Sequence, residues 1–412
     1  MQDLLFLVHR IPFPPNKGDK IRSWNILEYL AGRYRVHVGC FVDDPHDWQF
    51  TGRIEDIAAS TFFRKLDRRR GLVRSFANLL TGDPLTCGYY RDRAMACWVD
   101  ETVKQNRISR VFVYSSSMAQ YIPDNPAADA RVVVDFVDID SDKWRQYAER
   151  KPWPMKQVYA REARTLFTVE KRVAAAADAA VFVSEDEAAL FRTMSPDTAA
   201  NVHGIANGVD CVFFDPACGS GSPYDPGQTT LVFTGAMDYW ANVDAVCWFA
   251  DDVFPRIRAA LPACEFVIVG ANPTPDVVKL GTRAGITVTG RVADVRPYIV
   301  HATISVAPLR VARGIQNKVL EAMALEKAVV ATLQAMEGID ATDGEEVFVA
   351  EDAAEFADTV LSLAAASDRH IAGGRARRRV LESYGWLTSL QKFESILEGN
   401  ASGDKLSGVS GN

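Results

Sequence analysis

The feature that most constrains this chain is an alternation that occurs twice. A short β-branched apolar run leads through a loop into an amphipathic stretch and then into the next apolar run. In the first half the runs are Leu4–Val8, Val36–Phe41, Val111–Tyr114, Val132–Phe136 and Ala179–Val183, with helices predicted near Ile21–Ala31 and Lys156–Ala177. In the second half they are Thr230–Thr234, Glu265–Val269, Ile286–Thr289, Ile304–Ala307, Ala328–Ala331 and Val347–Val349. Helices are predicted over Val243–Ala259, from Asn317 to Ala324, and over Ala353–Ala365. Apolar runs without polar alternation belong to parallel strands covered on both faces, so each half reads as a doubly wound α/β domain. At 412 residues the chain suits two cores of about 200 residues better than one. The Gly, Pro and Ser-rich stretch Asp215–Thr229 is the expected linker. The expected division is residues 1–205, residues 206–385, a C-terminal helix at 386–400 packing back on the first domain, and a disordered Gly/Ser tail at 401–412.

Composition narrows the function. A net charge of −7 argues against a general nucleic-acid binder, which needs a basic face. Seven cysteines, at positions 40, 87, 97, 211, 218, 247 and 264, form no CxxC pair and read as reduced thiols. The six histidines show no metal spacing, so no bound metal is expected. The opening MQDLLFLVHR has an apolar run of only five residues ended by His9-Arg10, which predicts no signal peptide. No run approaches the roughly 18 apolar residues of a membrane span. A cytoplasmic protein is expected.

In open parallel sheets, ligands sit beyond the carboxyl ends of the strands. After Ile304–Ala307 the chain reads PLRVARGIQNKVLEAMALEKAVVAT. Gly314, Ile315, Gln316 and Asn317 bring the chain to a helix start, where free amides and the helix dipole favour an anion. Arg310, Arg313 and Lys318 place three cations within nine positions. Glu321 follows Lys318 by three residues and shares its helix face, where it could accept hydrogen bonds from ribose hydroxyls. The segment Pro308–Ala324 therefore reads as a nucleotide diphosphate site, and equally as a surface loop with a Lys–Glu helix pair.

Other loops carry chemistry too. His9–Arg22 is a Pro/Gly loop with Gly18 just before a helix, but it matches neither GxGxxG nor a Walker pattern. Asp135, Asp138, Asp140 and Asp142 cluster after a strand. Asp138 and Asp140 could orient acceptor hydroxyls or cap the next helix. Phe62–Leu80 holds six basic residues between Arg64 and Arg74 against one acid, Asp67, punctuated by apolar side chains. It suits an anionic membrane surface, or a solvated helix face. Trp144, Trp153 and Tyr159 could stack on sugars or serve packing.

The segment Lys318-x-x-Glu321-Ala322-Met323-Ala324, followed by Val329-Val330, resembles the nucleotide-sugar signature of glycosyltransferase family 4, retaining enzymes of the GT-B fold. His203–Asp210 is similar to that family's Asn-Gly-Val-Asp element. Phe233-Thr-Gly235-Ala-Met237 with Asn242-Val-Asp244 is similar to its first donor-domain strand and loop. Val288-Thr-Gly290-Arg291-Val292 and Val347–Asp352 resemble later strands. The resemblance covers most of residues 200–370. The chain departs from it at Arg313, which stands eight positions before Glu321, where the family carries a glutamate that contacts the donor sugar. The basic pair usual after the first donor-domain strand is replaced by Gly-Ala-Met-Asp-Tyr-Trp. The N-terminal loop resembles that of sugar transferases associated with exosortase/PEP-CTERM exopolysaccharide clusters.

The resemblance implies two Rossmann-like domains facing a cleft, with the donor in the C-terminal one. It implies transfer of a sugar from a UDP- or GDP-linked donor to a saccharide or lipid-linked acceptor, with retention and no cofactor. The site residues it implies are Arg313 and Lys318 as catalytic groups. Donor binding falls to Gly18, Gly235, Arg291, Arg310, Gly314, Ile315, Gln316, Asn317 and Glu321, and the acceptor side to Asp138 and Asp140. A peripheral contact at the inner face of the cell membrane is the expectation for Phe62–Leu80. The alternatives are a nucleotide-sugar epimerase of GT-B fold and a non-catalytic glycosyltransferase-like scaffold.

Overall fold

The computed structural model of the protein describes residues 1–15, 18–123, 129–149, 152–219, 221–312 and 314–400, without the side chains of residues 68, 70, 76, 77 and 80. Arg313 and the tail 401–412 lie outside the described residues. The chain divides into two compact units, Met1–Ala206 together with the segment from Ser389, and Asn207–Thr388.

The first unit is built on β1 (Asp3–Val8), β2 (Arg35–Val42), β3 (Ser60–Lys65), β4 (Arg110–Tyr114), β5 (Arg131–Val137), β6 (Ala179–Phe182) and β7 (Val202–Gly204). The sheet runs β3-β2-β1-β4-β5-β6-β7, all parallel. Leu4 to Val8 in β1 are fully buried, each contributing about 2 kcal/mol of apolar transfer. The helix Gly18–Ala31 lays Trp24, Ile26, Leu27 and Leu30 against the sheet. Buried among them is Arg22, whose Nε and Nη2 donate to Asp135 at 2.7 and 3.2 Å and whose Nη1 donates to the Ile205 carbonyl at 2.9 Å. The last helix, Trp386–Glu398, sets Phe393 edge-on to Phe112 at 5.5 Å, and Tyr29 donates to Glu394 at 2.5 Å.

Two strands of this sheet, β3 and β7, are absent from the periodicity reading. Both are edge strands, and β3 (STFFRK) is only half-buried along most of its length, so its pattern is neither continuous nor cleanly alternating. Charged residues on edge strands discourage pairing with other chains. The basic stretch Phe62–Leu80 is therefore not one amphipathic element. Arg64 and Lys65 end β3, and the helix Arg68–Thr81 begins after a break.

The second unit is built on β8 (Thr230–Thr234), β9 (Glu265–Val269), β10 (Ile286–Gly290), β11 (Ile304–Ala307), β12 (Val329–Ala331) and β13 (Phe348–Val349). The order is β10-β9-β8-β11-β12-β13, again parallel. The single helix expected over Val243–Ala259 is three pieces: Trp240–Trp248, a π turn at Phe249–Val253, and Phe254–Ala260. Pro255 has no amide to continue the ladder, so the helix widens just before it. The described residues of the stretch 215–229 form no helix or strand and belong to the second unit. Arg377 pairs with Asp215 at 3.1 Å, and Tyr224 donates to the Tyr298 carbonyl at 2.6 Å. The division between units falls earlier, at Ala206/Asn207. No helix among the described residues is long and apolar enough to cross a membrane.

Candidate functional site

Each sheet reverses its strand order once, between β1 and β4 in the first unit and between β8 and β11 in the second. Such reversals part the loops at the carboxyl ends and open a crevice for ligands.

In the second unit the reversal gathers the loop after β8, the loop after β9 and the start of the helix Asn317–Ala324. The β8 loop passes tightly over its neighbour. A methyl group on Gly270 would lie 1.7 Å from the Gly235 carbonyl oxygen, and one on Gly235 would lie 2.7 Å from the Asn242 amide. Gly235 donates its own amide to the Val269 carbonyl at 3.0 Å. Asn242, on the helix Trp240–Trp248, donates to the Ala236 carbonyl at 2.9 Å, which fixes its side-chain oxygen. Lys318 Nζ donates to that oxygen at 2.5 Å and lies 4.8 Å from the centre of the Phe233 ring. A neutral amide and an aromatic face thus hold the ammonium without neutralising it.

Gly314 has φ +67°, a left-handed turn that glycine takes without steric cost, and its carbonyl accepts from Gln316 at 3.0 Å. Gln316 stands at the N-cap without a side-chain cap bond, and its carbonyl accepts from the Val319 amide at 3.0 Å, so the positive end of the helix dipole lies at Asn317 and Lys318. Ile315 packs on the core of this unit. Lys318 and Glu321 keep part of their accessible surface but lie densely surrounded by protein. Burial lowers the Lys318 ammonium to about 8, partly opposed by Glu321. Burial raises the Glu321 carboxyl to about 7, partly opposed by Lys318. An anion arriving here raises both values, which completes the charge on Lys318 and favours the neutral form of Glu321.

Arg310 is placed differently. Its guanidinium forms a two-pronged pair with Asp244 at 2.5 and 3.0 Å and lies 5.8 Å from the centre of the Trp248 ring. Arg291 follows Gly290, which has φ +70°, and is exposed. Gly18 belongs to the other unit, where it starts the helix Gly18–Ala31.

In the first unit the reversal gathers His9, Asp19, Ser115–Ser117 and the loop after β5. Val137 has φ +70°, which a β-branched residue seldom adopts, and the register shifts between Asp135 and Val137. The kink carries Asp138 and Asp140 past the strand end. Lys143 donates to Asp138 at 2.6 Å and lies 3.6 Å from Asp140, while Ser116 donates to Asp140 at 3.1 Å. Burial raises Asp140, against the pull of Lys143. Behind them Ser141 bonds to the buried Glu170, which burial pushes up to about 8. His9 stacks on Tyr114 and lies 3.6 Å from Asp19. Burial would raise Asp19, but His9 and Arg10 hold it at about 2. Among the described residues no three His, Cys, Asp or Glu side chains converge as a metal site requires.

Asn242 and Asp244 are the partners that residue spacing cannot supply, since they lie 76 and 66 positions from the cations they hold. Their only sequence signal is the likeness of Asn242-Val-Asp244 to a donor-domain loop.

Residues 228–366 match the family model described as glycosyl transferases group 1. No curated protein matches the chain by sequence. Among solved structures the fold is similar to a glycosyltransferase from Rickettsia africae, at 14% identity over 98% of this chain and 99% of that one, with a TM-score of 0.63. It is similar to sucrose-phosphate synthase from Thermosynechococcus elongatus, at 15% identity over 97% and 99%, with a TM-score of 0.64. It is also similar to Anabaena HepE in complex with UDP-glucose, at 15% identity over 97% and 100%, with a TM-score of 0.64. With two parallel α/β units and a group 1 domain in the second, the chain is a glycosyltransferase of GT-B fold.

Proposed function

We propose that this enzyme moves a sugar from a UDP- or GDP-linked donor to a carbohydrate or lipid-linked saccharide acceptor, with retention, in exopolysaccharide biosynthesis. The observation that carries the donor assignment is Lys318. It stands in the first turn of an uncapped helix at the strand-order reversal, held by the neutral Asn242. A diphosphate there meets a cation that an amide oxygen holds, at the positive end of a helix dipole. HepE, whose fold is similar, holds UDP-glucose in its solved structure, which supports the same donor class.

Negative charge grows on the diphosphate as the glycosidic bond breaks. Lys318 and the helix amides stabilise that charge more in the transition state than in the bound donor. Arg313 is assigned the same role from its place in the sequence. Glu321 accepts hydrogen bonds from the ribose. Asp138 and Asp140 orient the acceptor hydroxyls from the first unit. Retention, the exopolysaccharide setting and the absence of a cofactor rest on the resemblance of Lys318–Ala324 and the N-terminal loop to their families.

Thermal shift with UDP and GDP tests the donor, because binding to the native state raises its stability by mass action. Incubation with panels of UDP- and GDP-sugars, read by NMR of the anomeric proton, tests transfer and retention. A sugar returned as its epimer on the nucleotide overturns the transferase reading. In Arg313→Ala, donor affinity falls. An unchanged value removes Arg313 from the site. The helix Arg68–Thr81 carries four arginines and no acid, and exposes Leu72 and Val73, so we assign it to an anionic membrane surface. Flotation with and without anionic lipid decides that.

A further inference from the structure

The loop after β8 reads Gly235-Ala-Met-Asp-Tyr-Trp and carries no cation, although it borders the Lys318 site through Asn242. It is firmly seated. Met237 is fully buried, its amide donates to the Ala271 carbonyl at 2.9 Å, and its carbonyl accepts from the Thr274 amide at 3.2 Å. With the close approach of Gly235 and Gly270, the loops after β8 and β9 are held as one piece. The next three residues, Asp238, Tyr239 and Trp240, are exposed, the two aromatic ones at 52% and 49%. Their ring centres lie 6.3 Å apart at an interplanar angle of 57°. Asn272, also exposed and in the left-handed region at φ +55°, donates its side-chain amide to Asp238 at 3.1 Å.

Two large rings on a fixed loop, edged by polar groups, form an apolar patch of the kind that marks a ligand surface. The edge selects the ligand. A pyranose has a C–H face that lies on aromatic rings, and hydroxyls that donate to a carboxylate and accept from an amide. Asp238 takes one hydrogen bond from Asn272 and has lone pairs left for hydroxyls. Connectivity gives the place. The donor sugar is bonded to the diphosphate, so it lies beside the group that Lys318 meets. Tyr239 accepts from the Asn242 amide at 3.0 Å through its carbonyl, so the rings begin one helical turn from the residue that holds Lys318. Glu321, assigned to the ribose, stands one turn deeper in the helix Asn317–Ala324 and draws the nucleoside that way. The sugar leaves the diphosphate at its other end.

We propose that Tyr239 and Trp240, with the Asp238–Asn272 pair at their edge, bind the sugar ring of the donor. The aromatic rings take its C–H face and Asp238 its hydroxyls. This rests on the glycosyltransferase reading and deepens it, because it places the sugar end of the donor.

The test is calorimetric titration with UDP, GDP, UDP-glucose, UDP-N-acetylglucosamine and GDP-mannose, comparing the sugar nucleotide that binds the native protein most tightly with its own nucleoside diphosphate. In Trp240→Ala the sugar nucleotide should bind about fivefold more weakly, and in the Tyr239→Ala, Trp240→Ala double variant about tenfold or more. The nucleoside diphosphate should stay within about twofold in both. Trp240→Phe keeps a ring and should recover most of the affinity. Asp238→Asn, which keeps the shape and removes the carboxylate, should weaken the sugar nucleotide about threefold. Both aromatic side chains are half-exposed, so the variants should fold, and the urea midpoint checks this. An unchanged sugar-nucleotide affinity in the double variant overturns the proposal. So does an equal loss for the nucleoside diphosphate, which would put the nucleobase on the rings. A native protein that binds none of the five compounds overturns the donor reading, and this proposal with it.

Discussion

The two strand-order reversals are built alike and charged differently. In the first unit, four cations near the carboxyl ends are already paired. Arg10 bridges Asp19 and Asp43, Lys20 bonds Asp47, Arg22 bonds Asp135, and Lys143 bonds Asp138. In the second unit, Lys318 is held by an amide oxygen. Paired cations hold loops in place and offer little to an anion. A cation held by a neutral group is positioned and keeps its charge for the ligand. That contrast is the ground on which we assign the diphosphate to the second reversal and acceptor hydroxyls to the first. It also implies that removing a cation has opposite consequences in the two places.

The largest effect is expected at Arg22. Arg22→Ala leaves the Asp135 carboxylate buried without its partner, and breaking such a pair costs about 3–5 kcal/mol. Urea denaturation should show a loss of that size, while UDP affinity measured well below the midpoint stays within a factor of two. A large loss of UDP affinity in the folded variant would erase the contrast between the units.

Lys318→Ala should do the reverse. Hydrogen bonds to charged groups contribute about 1.5–3 kcal/mol, so UDP affinity should fall about 10- to 100-fold. Stability should hold or rise, because the folded state no longer carries a desolvated ammonium. Calorimetric titration and denaturation of the same sample separate the two. A variant that unfolds easily but binds UDP normally would make Lys318 a structural residue.

The same lysine gives a pH signature. Its folded value, about 8, lies below its ordinary value of 10.5, so between them the unfolded chain holds more protons. Its contribution to stability therefore increases as pH rises through that window. UDP affinity moves the other way, falling by up to about tenfold per unit above pH 8 as the ammonium is lost. Both slopes should vanish in Lys318→Ala. If UDP affinity is flat from pH 7 to 9 in the native protein, Lys318 does not meet the phosphates.

Much of this architecture is legible in the chain. The strands Thr230–Thr234, Glu265–Val269 and Ile304–Ala307 and the helices Asn317–Ala324 and Ala353–Ala365 fall where periodicity places them. They are central or well packed, so burial dictates their residues. Strand β3 is hidden because an edge strand need bury little, and Arg64 and Lys65 break its pattern. The stretch 215–229 reads as a linker because its glycines and prolines form no element. Nothing in composition reveals that Tyr224 and Asp215 bind it to the second unit. In the site, local spacing brings Lys318 and Glu321 to one helix face. It says nothing of Asn242 or Asp244, since tertiary partners lie far along the chain. That is why Arg310 and Lys318 look equivalent in sequence and differ in the fold.

The smallest effect tests that difference directly. Arg310 is half-exposed and tied to Asp244 by two hydrogen bonds, so a diphosphate would have to compete for its guanidinium. An exposed pair of this kind contributes about 0–1 kcal/mol. Arg310→Ala should lower UDP affinity no more than about fivefold and shift the urea midpoint only slightly. Asp244→Asn sharpens the result. Freed from its carboxylate, Arg310 becomes available to the phosphates, and UDP binding should tighten by a small factor that disappears in the Asp244→Asn, Arg310→Ala double variant. A loss in Arg310→Ala as large as in Lys318→Ala would mean that the ligand displaces Asp244. The distinction between paired and held cations would then fail within the second unit.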